Sequence, residues 1–176
     1  GSFTVRGTEE SDQVDPEITL VGTDNLGVVW QNGSFEDFEG NEDDTFIQGE
    51  VFTSGGKSTG SLTIRGTEDS QQLDPAITQV GQDRFAVTWS EGDTDGTAVR
   101  GKVFTTGGQS TGSFTVRDSE NPFQAEPTIT QVGQDRFAVA WTEADPDTDG
   151  TAVRGEVFTT KGQSTGSFTA RGTKDI

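Results

Sequence analysis

The chain contains no cysteine, histidine, methionine or tyrosine. Without cysteine there is neither a disulfide framework nor a zinc–thiolate site. Without histidine or cysteine the commonest general base is missing, and so are the Ser-His and Cys-His nucleophile systems. Long apolar runs are absent as well: none approaches the ~18 residues of a membrane span. Hydrophobic residues make up only 28% of the chain, well below the usual ~45–50%. Basic residues are scarce, 12 Lys and Arg against 30 Asp and Glu, for a net charge of −18. Such a surface repels nucleic acid and anionic membranes, so neither is expected as a partner, and it suits divalent cations or cationic ligands.

What is present is strongly ordered. Val, Ile, Phe and Trp fall in regular short runs, which argues for a sheet protein rather than a disordered one. The 24 glycines recur at fixed positions and punctuate turns. Pro16, Pro75 and Pro127 each stand 14 residues before Trp30, Trp89 and Trp141. Phe52, Phe104 and Phe158 each stand 9 before Ser61, Ser113 and Ser167, and Arg6, Arg65 and Arg117 each stand 10 before the next proline. Only the interval from Trp to Phe varies: 22, 15, then 17 residues. Three copies therefore share one frame and differ in one loop. They divide the 176 residues into repeat 1 (16–74), repeat 2 (75–126) and repeat 3 (127–176), behind an N-terminal stretch, 1–15.

Each copy reads as four short strands. In the second these are Ala76–Val80, Arg84–Trp89, Thr97–Phe104 and Ser113–Arg117, separated by glycine-rich turns. Alternation places Phe85, Val87 and Trp89 on one face and Ala86 and Thr88 on the other. No helical periodicity is present, so the expectation is an all-β chain of repeated four-stranded antiparallel sheets. Such units fit β-propeller-like blades, and the alternative is pseudo-threefold closure as a β-prism or β-trefoil. "GSFTVRGTEE" at the N-terminus matches the fourth strand of an earlier copy. With no initiating Met and no visible signal peptide, the chain reads as a piece or processed product of something longer. That first strand is positioned to complete the sheet of a neighbouring repeat or an identical chain through a sheet edge.

The frame residues read first as structure. Each Trp ends a strand of alternating apolar residues and is expected in the core, with a sugar-stacking platform as the sharper reading. The prolines are expected at strand starts, where a missing N–H does no harm. The variable loop is different, because a fixed scaffold with one loop of changing length places function in the loop. Gln31–Asp44 holds Glu36, Asp37, Glu39, Glu42, Asp43 and Asp44; Ser90–Gly96 holds Glu91, Asp93 and Asp95; Thr142–Gly150 holds Glu143, Asp145, Asp147 and Asp149. These loops carry thirteen of the thirty acidic residues and no Lys or Arg. Carboxylates so crowded repel one another unless solvent or a cation intervenes.

In the third loop Asp145, Asp147, Asp149 and Gly150 make D-x-D-x-D-G. Alternate oxygen ligands wrap a hard cation, and the glycine permits the sharp turn. The stretch resembles the front half of an EF-hand loop without its downstream glutamate, and is similar to the calcium loops between strands of integrin-type propeller blades. Asp93 and Asp95 with Gly96 keep part of the pattern, with Glu91 as a substitute for the first aspartate. Calcium is the cofactor these residues imply. In the first loop Phe35 and Phe38, with Glu36, Asp37, Asp43 and Asp44, are candidates for ligand binding.

The whole repeat, "P-x-I-T-Q-V-G-Q-D-R-F-A-V-x-W", then an acidic "DTDG" loop and "VRG-x-VFTT-x-GQSTGSFT", also resembles a family. It is similar to tandem repeats of roughly fifty residues in very large, acidic, secreted bacterial proteins, often beside RTX-type calcium-binding segments. The family's usual turn, "L-x-D-G-x-F", is replaced here by "VGQDRF" or "VGTDNLG". The resemblance implies an extracellular or cell-surface, adhesin-like or structural role on a propeller-like fold, with no established catalytic residues. Catalysis is not expected, since the many carboxylates lie in solvated turns without an apolar pocket to raise one pKa. The expected function is a non-catalytic repeat module for adhesion, surface structure or assembly, stabilised by calcium. The alternative is a carbohydrate-binding lectin with repeat-related glycan sites.

Overall fold

In the computed structural model the described residues are 4–5, 12–33, 45–64, 70–93, 96–116, 123–145 and 150–170. They form twelve strands and no helix. Sheet 1 comprises β1 (Gln13–Val21), β2 (Asn25–Asn32), β3 (Phe46–Thr53) and β4 (Ser58–Leu62). Sheet 2 comprises β5 (Gln71–Gln79), β6 (Arg84–Asp93), β7 (Gly96–Thr105) and β8 (Ser110–Thr115). Sheet 3 comprises β9 (Gln124–Val132), β10 (Arg136–Ala144), β11 (Thr151–Thr159) and β12 (Ser164–Ala170). Within every sheet the strands lie in chain order and pair antiparallel. The expected all-β, three-sheet architecture is what the sequence folds into.

The sheets stack in a row. Sheet 2 packs on sheet 1 through β5, which meets β1, β2 and β3, and sheet 3 packs on sheet 2 through β9, which meets β5, β6 and β7. One core lies between sheets 1 and 2, where Leu62 and Ile64 of repeat 1 join Phe85, Val87, Trp89 and Phe104 of repeat 2. The next lies between sheets 2 and 3, built from Phe114 and Val116 on one side and Phe137, Val139, Trp141 and Phe158 on the other. Phe114 inserts at 5.1 Å from Phe137 and 4.7 Å from Phe158, ring to ring. The aromatic triplet gains from tilted-ring geometry beyond the area it buries. All three tryptophans are buried, as expected of core residues.

Gly101 and Gly155 explain the "RG" that precedes each "VF" in repeats 2 and 3. A Cβ at either position would run into the ring of Phe114 or Phe168, which lies flat across the neighbouring strand. The glycine makes room for a large side chain on the fourth strand, which in sheet 2 is delivered to the following sheet as Phe114.

Strand limits differ from the sequence reading in one instructive way. The first strands run through the prolines instead of starting after them: β5 begins at Gln71, not Ala76. The pairing register shifts between Val14 and Glu17, between Leu73 and Ala76, and opposite Ala140–Thr142. The residues before the prolines, Asp15, Asp74 and Glu126, have φ of 49°, 52° and 54°. A β-bulge at the same place in each sheet accommodates both the proline and this left-handed backbone. The bulge bends the polar residues before it into the sheet, where hydrophobic alternation gives no sign of a strand.

Candidate functional site at the acidic loop ends

The variable loops join the second and third strands of each sheet, so all three leave the sheets at corresponding hairpin ends. In repeat 2 the strands pair out to Asp93 and Gly96. Most of the expected Ser90–Gly96 loop is therefore strand, and Glu91 lies within the sheet. Trp89 Nε1–H donates to Glu91 Oε2 at 3.1 Å, and Arg100 Nε lies 3.6 Å from Glu91 Oε1. Arg100 continues across the sheet, its Nη1 donating to Thr115 Oγ1 at 2.7 Å. Both oxygens of Glu91 thus face Trp89 and Arg100, and it is placed as part of a polar belt.

Repeat 3 has the same belt in tighter form. Trp141 Nε1–H donates to Glu143 Oε2 at 3.1 Å, Arg154 Nε donates to Glu143 Oε1 at 2.8 Å, and Arg154 Nη1 donates to Thr169 Oγ1 at 2.8 Å. Glu143, assigned to the third loop from sequence, is a buried strand residue. The alternation rule accounts for it: Trp and the Glu two residues on share a face, and the cross-strand partner of the Trp is the Arg. In repeat 1 the corresponding residues are Trp30, Asn32 and Gln48. Trp30 Nε1 and both ends of the Gln31 and Asn32 amides are buried without a hydrogen-bond partner.

Sequence reasoning missed a second set of residues, Gln72 and Gln124. Gln72 Oε1 accepts from the Ile47 N–H at 3.0 Å and Gln124 Oε1 from the Val99 N–H at 3.2 Å, each pinning a sheet to the one before it. Their signal was present, since Gln13, Gln72 and Gln124 each stand 3 residues before a frame proline. They were hidden in stretches that read as polar connectors. Lys102 of sheet 2 reaches back to repeat 1 by donating to the Thr63 and Ile64 carbonyls, at 3.4 and 3.3 Å. Burial lowers its pKa below the usual value, and the Glu91 carboxylate acts in the opposite direction.

Of the expected metal ligands, Asp145 ends sheet 3 just after β10. Its N–H donates to the Gly150 carbonyl at 2.8 Å, which draws the two ends of the D-x-D-x-D-G stretch together. Asp147, Asp149 and Asp95 lie outside the described residues, as do Phe35, Phe38, Glu36, Asp37, Asp43 and Asp44. Asp93 is the last residue of β6. Among the described residues no three acidic side chains gather into a metal-binding group. At the opposite end of the sheets an open groove between sheets 2 and 3 is lined by Gln79, Asp83, Arg84, Gln131, Asp135 and Lys161. Among the described residues no helix is long and apolar enough to cross a membrane.

The fold defines a class: an all-β chain of three repeated, stacked, four-stranded antiparallel sheets. No protein-family model and no curated protein matches the chain. Among solved structures it is similar to a protein of unknown function from Bacteroides caccae, with a TM-score of 0.50 and 10% identity. The match covers 93% of this chain and 48% of that one, so this chain spans about half the length of the solved protein. At that identity the likeness is one of fold.

Proposed function

We propose that the chain is a non-catalytic repeat module of an extracellular bacterial protein, serving adhesion, surface structure or assembly. Its sheets are propeller-like blades, and calcium bound in the acidic loops stiffens the hairpin ends. The linear stack, with sheet 2 between the other two, supports blades over a threefold closure, in which each sheet would pack on both others. The observation that carries the calcium reading is the Asp145 N–H to Gly150 carbonyl bond, 2.8 Å long. It closes a six-residue loop with Asp145 at its mouth and Asp147 and Asp149 in the enclosed sequence. Alternate carboxylates in so short a stretch of sequence are the residue types that suit a hard cation. The frame residues support a structural role, because the repeated aromatics are spent on cores between sheets. The burial of all three tryptophans supports their reading as core residues over sugar platforms.

The test is a calcium titration by calorimetry with thermal unfolding alongside, on the chain and on the Asp145→Ala/Asp147→Ala variant. Saturable binding in the range of about 10⁻⁴–10⁻³ M, typical of extracellular modules, is expected, with a raised melting temperature that the variant loses. No heat and no melting shift at millimolar calcium would overturn the calcium assignment.

A further inference from the structure

Sheet 3 keeps, on the side away from sheet 2, the surface with which sheet 2 receives sheet 3. Phe114 is 6% exposed between Phe137 and Phe158, while its equivalent Phe168 is 47% exposed. Val99 is 0% exposed and its equivalent Val153 is 44% exposed. The turns tell the same story. A Cβ on Gly22 would lie 3.7 Å from the Gln82 carbonyl of the next sheet, and one on Gly81 would lie 3.2 Å from that of Gln134. At Gly133, the same position in sheet 3, nothing lies within 4 Å. Gly60 and Gly112 sit beneath the next sheet's turn, 3.1 and 3.4 Å from the Gly107 and Lys161 carbonyls on the same measure, and at Gly166 nothing lies within 4 Å. Arg84 donates to the Thr160 carbonyl across the interface at 3.2 Å, whereas Arg136 is exposed.

Sheet 1 carries the other half of the same interface. Ile18 is 57% exposed, where its equivalent Ile77 is 7% exposed in the core against sheet 1 and Ile129 packs on the core between sheets 2 and 3. Gln13 is exposed at the position from which Gln72 and Gln124 pin their sheets. Val28, Trp30 and Phe52, which correspond to Val139, Trp141 and Phe158, have Val5 packed against them. Val5 belongs to "SFTVR", the same pentapeptide as Ser113–Arg117, and is the counterpart of Val116. It occupies on sheet 1 the place that Val116 of sheet 2 occupies on sheet 3.

We propose that the free face of sheet 3 is a docking site for sheet 1 of a second copy of this chain, arranged head to tail, in competition with Val5. Phe168 and Val153 of one copy meet Ile18 of the next, and Gln13 reaches the backbone at Val153. The incoming β12 displaces Val5, because the two compete for one surface. The inference rests on the stacked-blade reading above and is independent of calcium. Two copies place six sheets in one stack, within the ~4–8 blades of closed propellers, and a head-to-tail contact either closes into a ring or continues as a filament.

Sedimentation velocity from micromolar to millimolar chain, in calcium and in EDTA, tests this. The wild-type chain is expected to associate with rising concentration in both buffers, so a calcium reading that fails leaves this one standing. Val5→Asp, which weakens that competition, is expected to associate at lower concentration. Phe168→Glu and Ile18→Glu, each at an exposed position, are expected to stay monomeric with unchanged circular dichroism. An equimolar mixture of those two is expected to recover a dimer, because each retains the face the other has lost. A monomeric wild type together with a monomeric Val5→Asp overturns the proposal, as does a Phe168→Glu variant that associates like the wild type.

Discussion

Gly101 and Gly155 occupy sequence contexts that differ nearby only in Lys102 against Glu156, yet their substitution should not cost the same. Each lies beneath a phenylalanine ring that a Cβ would strike. Phe114, over Gly101, is packed between Phe137 and Phe158. Phe168, over Gly155, faces solvent and can swing aside. Gly101→Ala is therefore expected to destabilise by about 1–3 kcal/mol, the range for overpacking a core, and Gly155→Ala by less than half of that. Denaturant midpoints measured on the two variants check this, and equal losses would show that the Phe168 ring is held as firmly as Phe114.

The strand is the next scale, and here the polar belts discriminate between repeats. The Trp–Glu–Arg–Thr chain crosses three strands in sheets 2 and 3, whereas Asn32 and Gln48 stand for Glu and Arg in sheet 1. Trp30 Nε1 and the Asn32 amide are left buried without partners, and unsatisfied buried polar groups are costly. Installing the pair should repair this. Asn32→Glu together with Gln48→Arg is expected to stabilise the chain by on the order of 1 kcal/mol, and Asn32→Glu alone to destabilise it by leaving a buried charge unpaired. A double-mutant cycle in urea measures the coupling, and a coupling near zero would mean that the belt does not form in sheet 1. The belts also mark where the sequence was readable. Alternation correctly exposed the Trp-bearing strands and the repeat frame, because side-chain period and burial agree there. It lost Glu91 and Glu143 to the loops, since a charged residue at a strand end looks like the start of a turn. It also lost Gln72 and Gln124, because a bulge at Asp-Pro or Glu-Pro restarts the period and hides that the strand continues.

Across the whole molecule, stability is set by how many faces a sheet has covered. Sheet 2 is packed on both sides, and β12 of sheet 3 is exposed along its entire length. In a stack of repeats each unit depends on its neighbours, and local opening follows the least covered element. Hydrogen exchange is expected to be slowest in β6 and β7, and faster in β12 than in the equivalent strands β4 and β8. Exchange in β12 as slow as in β8 would contradict this ranking. Protection of β12 that rises with chain concentration would report the head-to-tail contact independently of mass.

The chain-order pairing within every sheet has a consequence for how the molecule is made. Among the described residues no strand of one sheet is borrowed from a distant repeat, so each four-stranded sheet is available once a single contiguous stretch of chain is made. Hairpins between neighbouring strands close short loops, which favours rapid formation. A chain emerging from a ribosome can therefore finish sheet 1 before residue 71 appears, and each later sheet can fold against a surface already in place. Near-identical repeats are exposed to exchange of strands when several are unfolded at once. Delivery in sequence keeps the number of unfolded repeats low at every moment of synthesis.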